Sequence, residues 1–304
     1  MRKALRILGK VALGLVALIV LVIAIGYAVS TIRLKKRYAI APSHVVVPTD
    51  PASISRGQAL AALSGCTGCH AANLGGQEMI NVFPVAKLSS PNLTRGRGGI
   101  AASYTDADWE RAIRHGVRRN GDHLLIMPSG AFNQFRDEEV GQIIAYVKSV
   151  PPVDGARPPR TMYPLFRVLH AFGAPLFEAE KIDHTHQAVV APPRGATVEW
   201  GKFLGQGCQF CHGDNLKGKQ EGGEPGAPPS PDISRTGAAG RWTEAQFIQT
   251  IRTGTTPAGR HLVDRFMPWS SIRHLGDDEL RAVYMFLQAS DSIRAADSIA
   301  AAKK

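Results

Sequence analysis

Cys66-Thr67-Gly68-Cys69-His70 and Cys208-Gln209-Phe210-Cys211-His212 concentrate most of the chemistry this chain can do. Cys-x-x-Cys-His is the pattern by which a c-type haem is attached. Two intervening residues let both thiols add to the vinyl groups of one porphyrin, and the adjoining histidine reaches the iron from the proximal side. The two motifs use all four cysteines, which leaves none for a disulfide or a separate metal site. A thioredoxin-like redox pair also reads Cys-x-x-Cys, but it needs a βαβ setting that the sequence does not offer. A structural zinc site would have to join two pairs 142 residues apart. Neither alternative gives the histidines a role.

An electron-transferring haem usually has both axial positions filled, and a thioether in the sixth raises its potential. Of the six methionines, two stand in matching places. Met127-Pro128 lies 57 residues after His70 and Met267-Pro268 lies 55 after His212, each just past a histidine-leucine pair. Cys66, Cys69, Cys208 and Cys211 are thus the candidate attachment residues, with His70, Met127, His212 and Met267 as iron ligands. Core filling is the ordinary alternative for any methionine. His123 and His261 are rival ligands, or propionate-contacting and surface groups.

The elements that must position these groups also come in pairs. Pro91-Asn92-Leu93-Thr94 recurs as Pro231-Asp232-Ile233-Ser234, Tyr104–Trp109 as Trp242–Phe247, and Asp137-Glu138-Glu139-Val140 as Asp277-Asp278-Glu279-Leu280. Two units of about 100 residues, each with one haem, fit this offset. Each reads as helices joined by glycine- and proline-rich loops such as Gly222–Pro231. A first helix near Ile54–Leu63, or Val198–Leu204, runs into the motif. A second is capped by Thr105 or Thr243, with Gln246 completing a capping box in the second copy. A third starts near Asp137 or Asp277 and carries a buried stripe: Val140, Ile143, Ile144 and Val147, or Leu280, Val283, Tyr284 and Leu287. Pro151 ends the first copy.

With these residues in place, each unit resembles a class I-type cytochrome c domain, over about 50–153 and 194–291. The loop and helix wording is similar to that of the cytochrome c subunits of membrane-bound alcohol and sugar dehydrogenases. Those subunits usually carry three haems, and this chain has motifs for two. The resemblance implies an all-α fold of two tandem class I-type cytochrome c domains behind an N-terminal transmembrane helix. It also implies two covalently attached haem c groups, and haem domains on the periplasmic side of a bacterial cytoplasmic membrane.

Val11–Val29 is uncharged and, at about 1.5 Å per residue, spans close to a hydrocarbon core of about 30 Å. Arg2, Lys3, Arg6 and Lys10 before it favour a cytoplasmic N-terminus. A cleaved signal peptide is the alternative, with Ala28-Val29-Ser30 as its site, but the apolar run is longer than usual for one. Residues 1–40 are therefore read as a single-pass anchor. They hold eight basic residues and no acid, and the rest of the chain has a net of only +3 out of +11. The charge belongs to the anchor and gives no support to nucleic-acid binding; Arg33–Arg37 suit anionic headgroups. The linker, 154–193, has proline pairs near its ends and an apolar middle. Tyr163–Phe177 is expected to form a short helix on one haem domain, between both, or on the membrane surface. His170, His184 and His186 are expected to be exposed. Residues 292–304 are a polar tail.

The expected function is electron carriage, with no catalytic residue. A dehydrogenase or quinol-oxidising donor would reduce the protein, and an oxidase or soluble cytochrome would oxidise it. A dihaem cytochrome c peroxidase is the alternative, but it needs one iron with an open or displaceable site, and both units offer the same Met-Pro. A haem-based sensor would need an output domain.

Overall fold

The computed structural model describes residues 2–41, 45–155, 160–173, 178–185, 191–220 and 228–302, with backbone alone for 2, 5 and 292–302. The chain is mostly helical. α1 (Arg2–Lys35) is followed by α2 (Pro51–Leu63), α3 (Cys66–His70), β1 (Glu78–Val82), β2 (Ala86–Ser89), α4 (Asp106–His115), α5 (Ser129–Phe132) and α6 (Asp137–Ser149). Next come β3 (Thr161–Met162) and α7 (Pro164–Ala171), then α8 (Val198–His212), α9 (Glu244–Thr253), α10 (Trp269–Ile272) and α11 (Asp277–Ala302). The predicted loop Gly222–Pro231 lies largely outside the described residues. The tail predicted as merely polar continues α11 as helical backbone to Ala302.

Local chemistry sets the boundaries. Asp50 caps α2 by accepting from the Ser53 N–H at 2.8 Å, with Pro51 in the first turn. Thr105 and Thr243 each close a full capping box, with Asp108 and Gln246 as the reciprocal partners. α4 and α9 both end on a left-handed glycine, Gly116 and Gly254.

In each repeat the first and last helices cross on a glycine. A Cβ on Gly57 would lie 1.9 Å from the Gln142 carbonyl oxygen of α6, and one on Gly201 would lie 1.9 Å from that of Ala282 in α11. Only a hydrogen at these positions allows the two backbones to meet. Gly57 lies nine residues before Cys66, whereas Gly201 lies seven before Cys208. The two extra residues, Ser64 and left-handed Gly65, break the first helix, while α8 runs unbroken into its motif.

The predicted stripes are buried, with Tyr284 only partly so. They do not form two separate cores: one apolar cluster runs from Leu60 and Ile144 through Trp200 to Leu280 and Leu287. The join is made by α2 against α8, where a Cβ on Gly207 would fall 1.7 Å from the Leu63 carbonyl oxygen. Phe135 meets Phe203 edge to face at 5.2 Å. Arg56 pairs with Glu279 at 2.5 Å in a mostly buried setting, and Arg194 holds Glu138 and Glu139 at 2.8 and 2.9 Å.

The structure adds a small antiparallel sheet, β1-β2-β3, that an all-α reading did not include. Ile80 faces Leu88, Val82 faces Ala86, and β3 brings Thr161 opposite Lys87. The linker helix also has an unexpected neighbour. α7 does set Phe166 against Ala86 and Leu88 of the first repeat, but its other side packs on α1, where a Cβ on Gly26 would touch Val168 at 3.0 Å. One linker expectation fails here. His170 is fully buried, because α1 covers it and Ser30 Oγ bonds its Nδ1 at 2.9 Å. His184 is half-buried beside His115, and His186 and 174–177 lie outside the described residues.

α1 is long and apolar enough to cross a bilayer, from Arg6 to Lys35, and its apolar side chains are exposed. These properties fit a membrane anchor or a signal sequence.

Candidate haem sites

The two motifs present their histidines in one geometry. In the first repeat His70 donates Nδ1–H to the Pro91 carbonyl at 3.0 Å, and in the second His212 donates to that of Pro231 at 2.8 Å. That bond fixes the tautomer and leaves Nε2 with its lone pair free for a metal. The proline carbonyl is itself held. Asn92 Oδ1 accepts from the Thr94 N–H and hydroxyl at 2.8 Å each, and Asp232 Oδ1 from those of Ser234 at 2.8 and 2.6 Å. Behind each histidine the chain makes the same turn. The Gly76 N–H returns to the His70 carbonyl at 2.9 Å and the Gly218 N–H to that of His212 at 2.8 Å. Leu74 and Leu216 accept left-handed backbone to make it, and both side chains are buried. Burial lowers the pKa of both histidines, more than their bonds to Pro91 and Pro231 raise it, so both stay neutral.

Burial also pushes the Cys66 thiol up to about 12 and that of Cys208 to about 11. Thiols so held are protonated, unlike the lowered nucleophile of a thioredoxin pair. The four cysteines are not paired in disulfides.

A cavity of about 1190 Å³ opens between the first motif and the loops facing it. Cys66, Cys69, His70 and Met127 all line it, with an apolar wall that includes Leu60, Leu93, Trp109, Ile113 and Phe132. Arg118, Arg119 and Arg160 lie on its lining too, and Trp109 Nε1 is buried without a hydrogen-bond partner. A large flat apolar group with anionic substituents fits this lining, which brings together two thiols, an imidazole, a thioether and arginine donors for carboxylates. His123, the rival ligand, is buried but is not among the lining residues. In the second repeat Met267 packs on the core beside Trp269, and His261 is exposed, edge-on to the Trp269 ring at 5.6 Å. Met127 and Met267 share one local fold. Each precedes a proline that starts a short helix, with the carbonyl of Met127 or Met267 accepting from the Ser129 or Trp269 N–H.

Three features escaped the sequence reading. The orienting role of Pro91 and Pro231 was open to view in the repeat, which placed a proline 21 residues after the first motif's histidine and 19 after the second's. The arginines of the first cavity had no such signal. Neither did the part α8 plays in walling that cavity, with Phe203, Gln206 and Phe210.

Helices crossing on glycine, two oriented imidazoles and a thiol-edged apolar cavity define a haem-binding protein of the c type. The cytochrome c family model matches residues 54–151 and again 198–291, so the chain belongs to the cytochrome c family. It is 27% identical over 277 residues to the fructose dehydrogenase cytochrome subunit of Gluconobacter japonicus, covering 80% of this chain and 55% of that one. It is 27% identical over 272 residues to the cytochrome c subunit of the quinone alcohol dehydrogenase of Gluconacetobacter polyoxogenes, covering 79% and 56%. It is 26% identical over 268 residues to a dihaem c-type cytochrome of Cereibacter sphaeroides, covering 79% and 86%. The chain spans little more than half the length of these two dehydrogenase subunits. It carries two covalently bound haem c groups.

Proposed function

We propose that this protein is a membrane-held dihaem cytochrome that takes electrons from a dehydrogenase or quinol-oxidising partner and passes them to an oxidase or a soluble cytochrome. In this reading residues 1–40 are a single-pass anchor in the cytoplasmic membrane. Residues 50–153 and 194–291 are tandem class I-type cytochrome c domains on the periplasmic side, and 154–193 links them. Cys66 and Cys69 hold one haem and Cys208 and Cys211 the other. His70 and His212 give the proximal ligands, and Met127 and Met267 the distal ones. The observation that carries this is the single cavity onto which Cys66, Cys69, His70 and Met127 all open.

Bound there, haem supplies a one-electron iron couple. The protein's own part is to hold it still. The Pro91 and Pro231 carbonyls keep each imidazole in the ligating tautomer, and Met-Pro turns on short helices fix the thioethers. Burial excludes water and keeps the potential high. With His70 and Met127, or His212 and Met267, all committed to the haem, no open site would be left for peroxide chemistry. The join at Gly207 places the second motif's helix against the first haem cavity, which suits electron passage within one molecule.

The test is a spectroelectrochemical titration of the full chain in membranes, followed by rapid mixing with a quinol-linked or dehydrogenase donor. Two low-spin haems, both reduced by such a donor and reoxidised by a soluble cytochrome, support the reading. A high-spin ferric haem with peroxide turnover contradicts it.

A further inference from the structure

The reading above assigns one membrane contact, α1. We infer that α7 and the β1–β2 tip form a second one: a monotopic foot seated in the acyl–headgroup boundary of the outer leaflet, which fixes the first haem domain against the bilayer. The inference rests on α1 being an anchor.

The first observation is a stripe with no protein cover. Leu165, Leu169 and Phe172 are spaced by four and three residues, so they share one face of α7, and they are 41%, 45% and 74% exposed. The opposite face, Phe166 and His170, is buried. At the start of α7, Phe83 stands 80% exposed, edge-on to Tyr163 at 5.3 Å, beside Val82 at 53%. The Tyr163 N–H bonds the Val85 carbonyl, so the tip and the helix belong to one surface. An apolar helix face and an exposed phenylalanine in one patch mark an interaction site, and the pattern is that of an in-plane amphipathic helix.

The second observation identifies the occupant. α7 lies on the last two turns of the apolar span, touching Gly26 and Ser30. Three contacts hold it there, and a fourth ties Arg33 to Glu180 beyond the helix. Arg33 donates to the His170 carbonyl at 2.6 Å and pairs with Glu180 at 2.5 Å. Arg167 reaches Ser30 Oγ at 3.3 Å and stacks over Tyr27 at 5.5 Å. Gly26 to Arg33 covers about 10 Å of rise, ending where the basic run Arg33–Arg37 meets the headgroups. α7 thus joins an exposed apolar stripe to the exposed apolar length of α1 near its basic end, which points to lipid as the occupant.

The thioether bonds consume all four native cysteines, so an introduced cysteine is a unique thiol. Full-length Leu169→Cys, Phe83→Cys, Leu18→Cys and Glu199→Cys proteins would be spin-labelled in phosphatidylethanolamine–phosphatidylglycerol bilayers. Collision rates with oxygen and with a water-soluble nickel chelate would then be compared. The expected result is an oxygen-to-nickel ratio several-fold higher at 169 and 83 than at Glu199, an exposed polar site on α8, with 18 higher still. Ratios at 169 and 83 equal to that at 199, with 18 in lipid, overturn the foot and leave the anchor standing. Labels at 169 and 83 shielded from both reagents mean a protein covers the stripe, which also overturns it. A mature chain starting beyond Ser30 overturns the anchor and the foot together.

Discussion

Gly207→Ala should loosen the junction between the two repeats. The new Cβ would sit 1.7 Å from the Leu63 carbonyl oxygen and 2.6 Å from its carbon, both backbone atoms that cannot rotate away. Ordinary contact starts near 3.4 Å, so α2 and α8 must part by roughly 1.5 Å, a strain of the kind that costs about 1–3 kcal/mol in a packed core. Helix propensity returns about 1 kcal/mol for replacing glycine inside α8. Because two backbones collide, the upper overpacking figure applies, and the net is a loss of about 2 kcal/mol. Urea unfolding of the haem-loaded protein, followed by the Soret band and by far-ultraviolet dichroism, reads this directly. Gly155→Ala, where the added Cβ meets nothing within 4 Å, is the control and should move stability by less than about 0.5 kcal/mol. If Gly207→Ala is as stable as the parent, the two helices do not approach as closely as described, and a shared core for both repeats is untenable.

Met127→Ala or Met267→Ala should lower the potential of one haem and leave both covalently attached; an unaltered spectrum in both variants removes methionine as ligand. Arg56→Ala should cost more than the double change Arg56→Ala/Glu279→Ala relative to Glu279→Ala, since each single change strands a mostly buried charge; a coupling energy near zero in that cycle would show the pair to be idle. The third concerns pH. Burial, then the His184, Arg114 and Arg111 charges, press the His115 imidazole down to about 4. The unfolded chain gains a proton near 6.5 that the fold refuses, so this stability is complete above pH 6.5 and is lost as pH falls towards 4. Discounted for the imidazole's partial exposure, the span is about 1–3 kcal/mol. His115→Gln should flatten the stability profile in that window, and an unchanged slope would exclude His115 as its source.

The helices and the haem motifs were legible because local rules govern them. Thr105 and Thr243 cap in sequence, the stripes on α6 and α11 follow helical spacing, and Cys-x-x-Cys-His carries its chemistry within five residues. What stayed hidden depends on distant neighbours. β3 has two residues and pairs with β2 across more than 70 positions, too short to show alternation. His170 looks like any linker histidine until α1 lies over it. The fusion of two repeats into one core turns on Gly207, whose lack of a side chain says nothing until Leu63 is seen beside it. The Pro91 and Pro231 carbonyls fall between: their positions were visible in the repeat, but their task needed the imidazole geometry.

The most direct measurement is near-infrared magnetic circular dichroism of the ferric protein, on material whose intact mass has been recorded after acid extraction. Two porphyrins retained on the chain, each with a sulfur-to-iron charge-transfer band lost singly in Met127→Ala and Met267→Ala, is the predicted result. Free thiols in the mature chain, or two haems with bis-histidine or high-spin signatures, would contradict it.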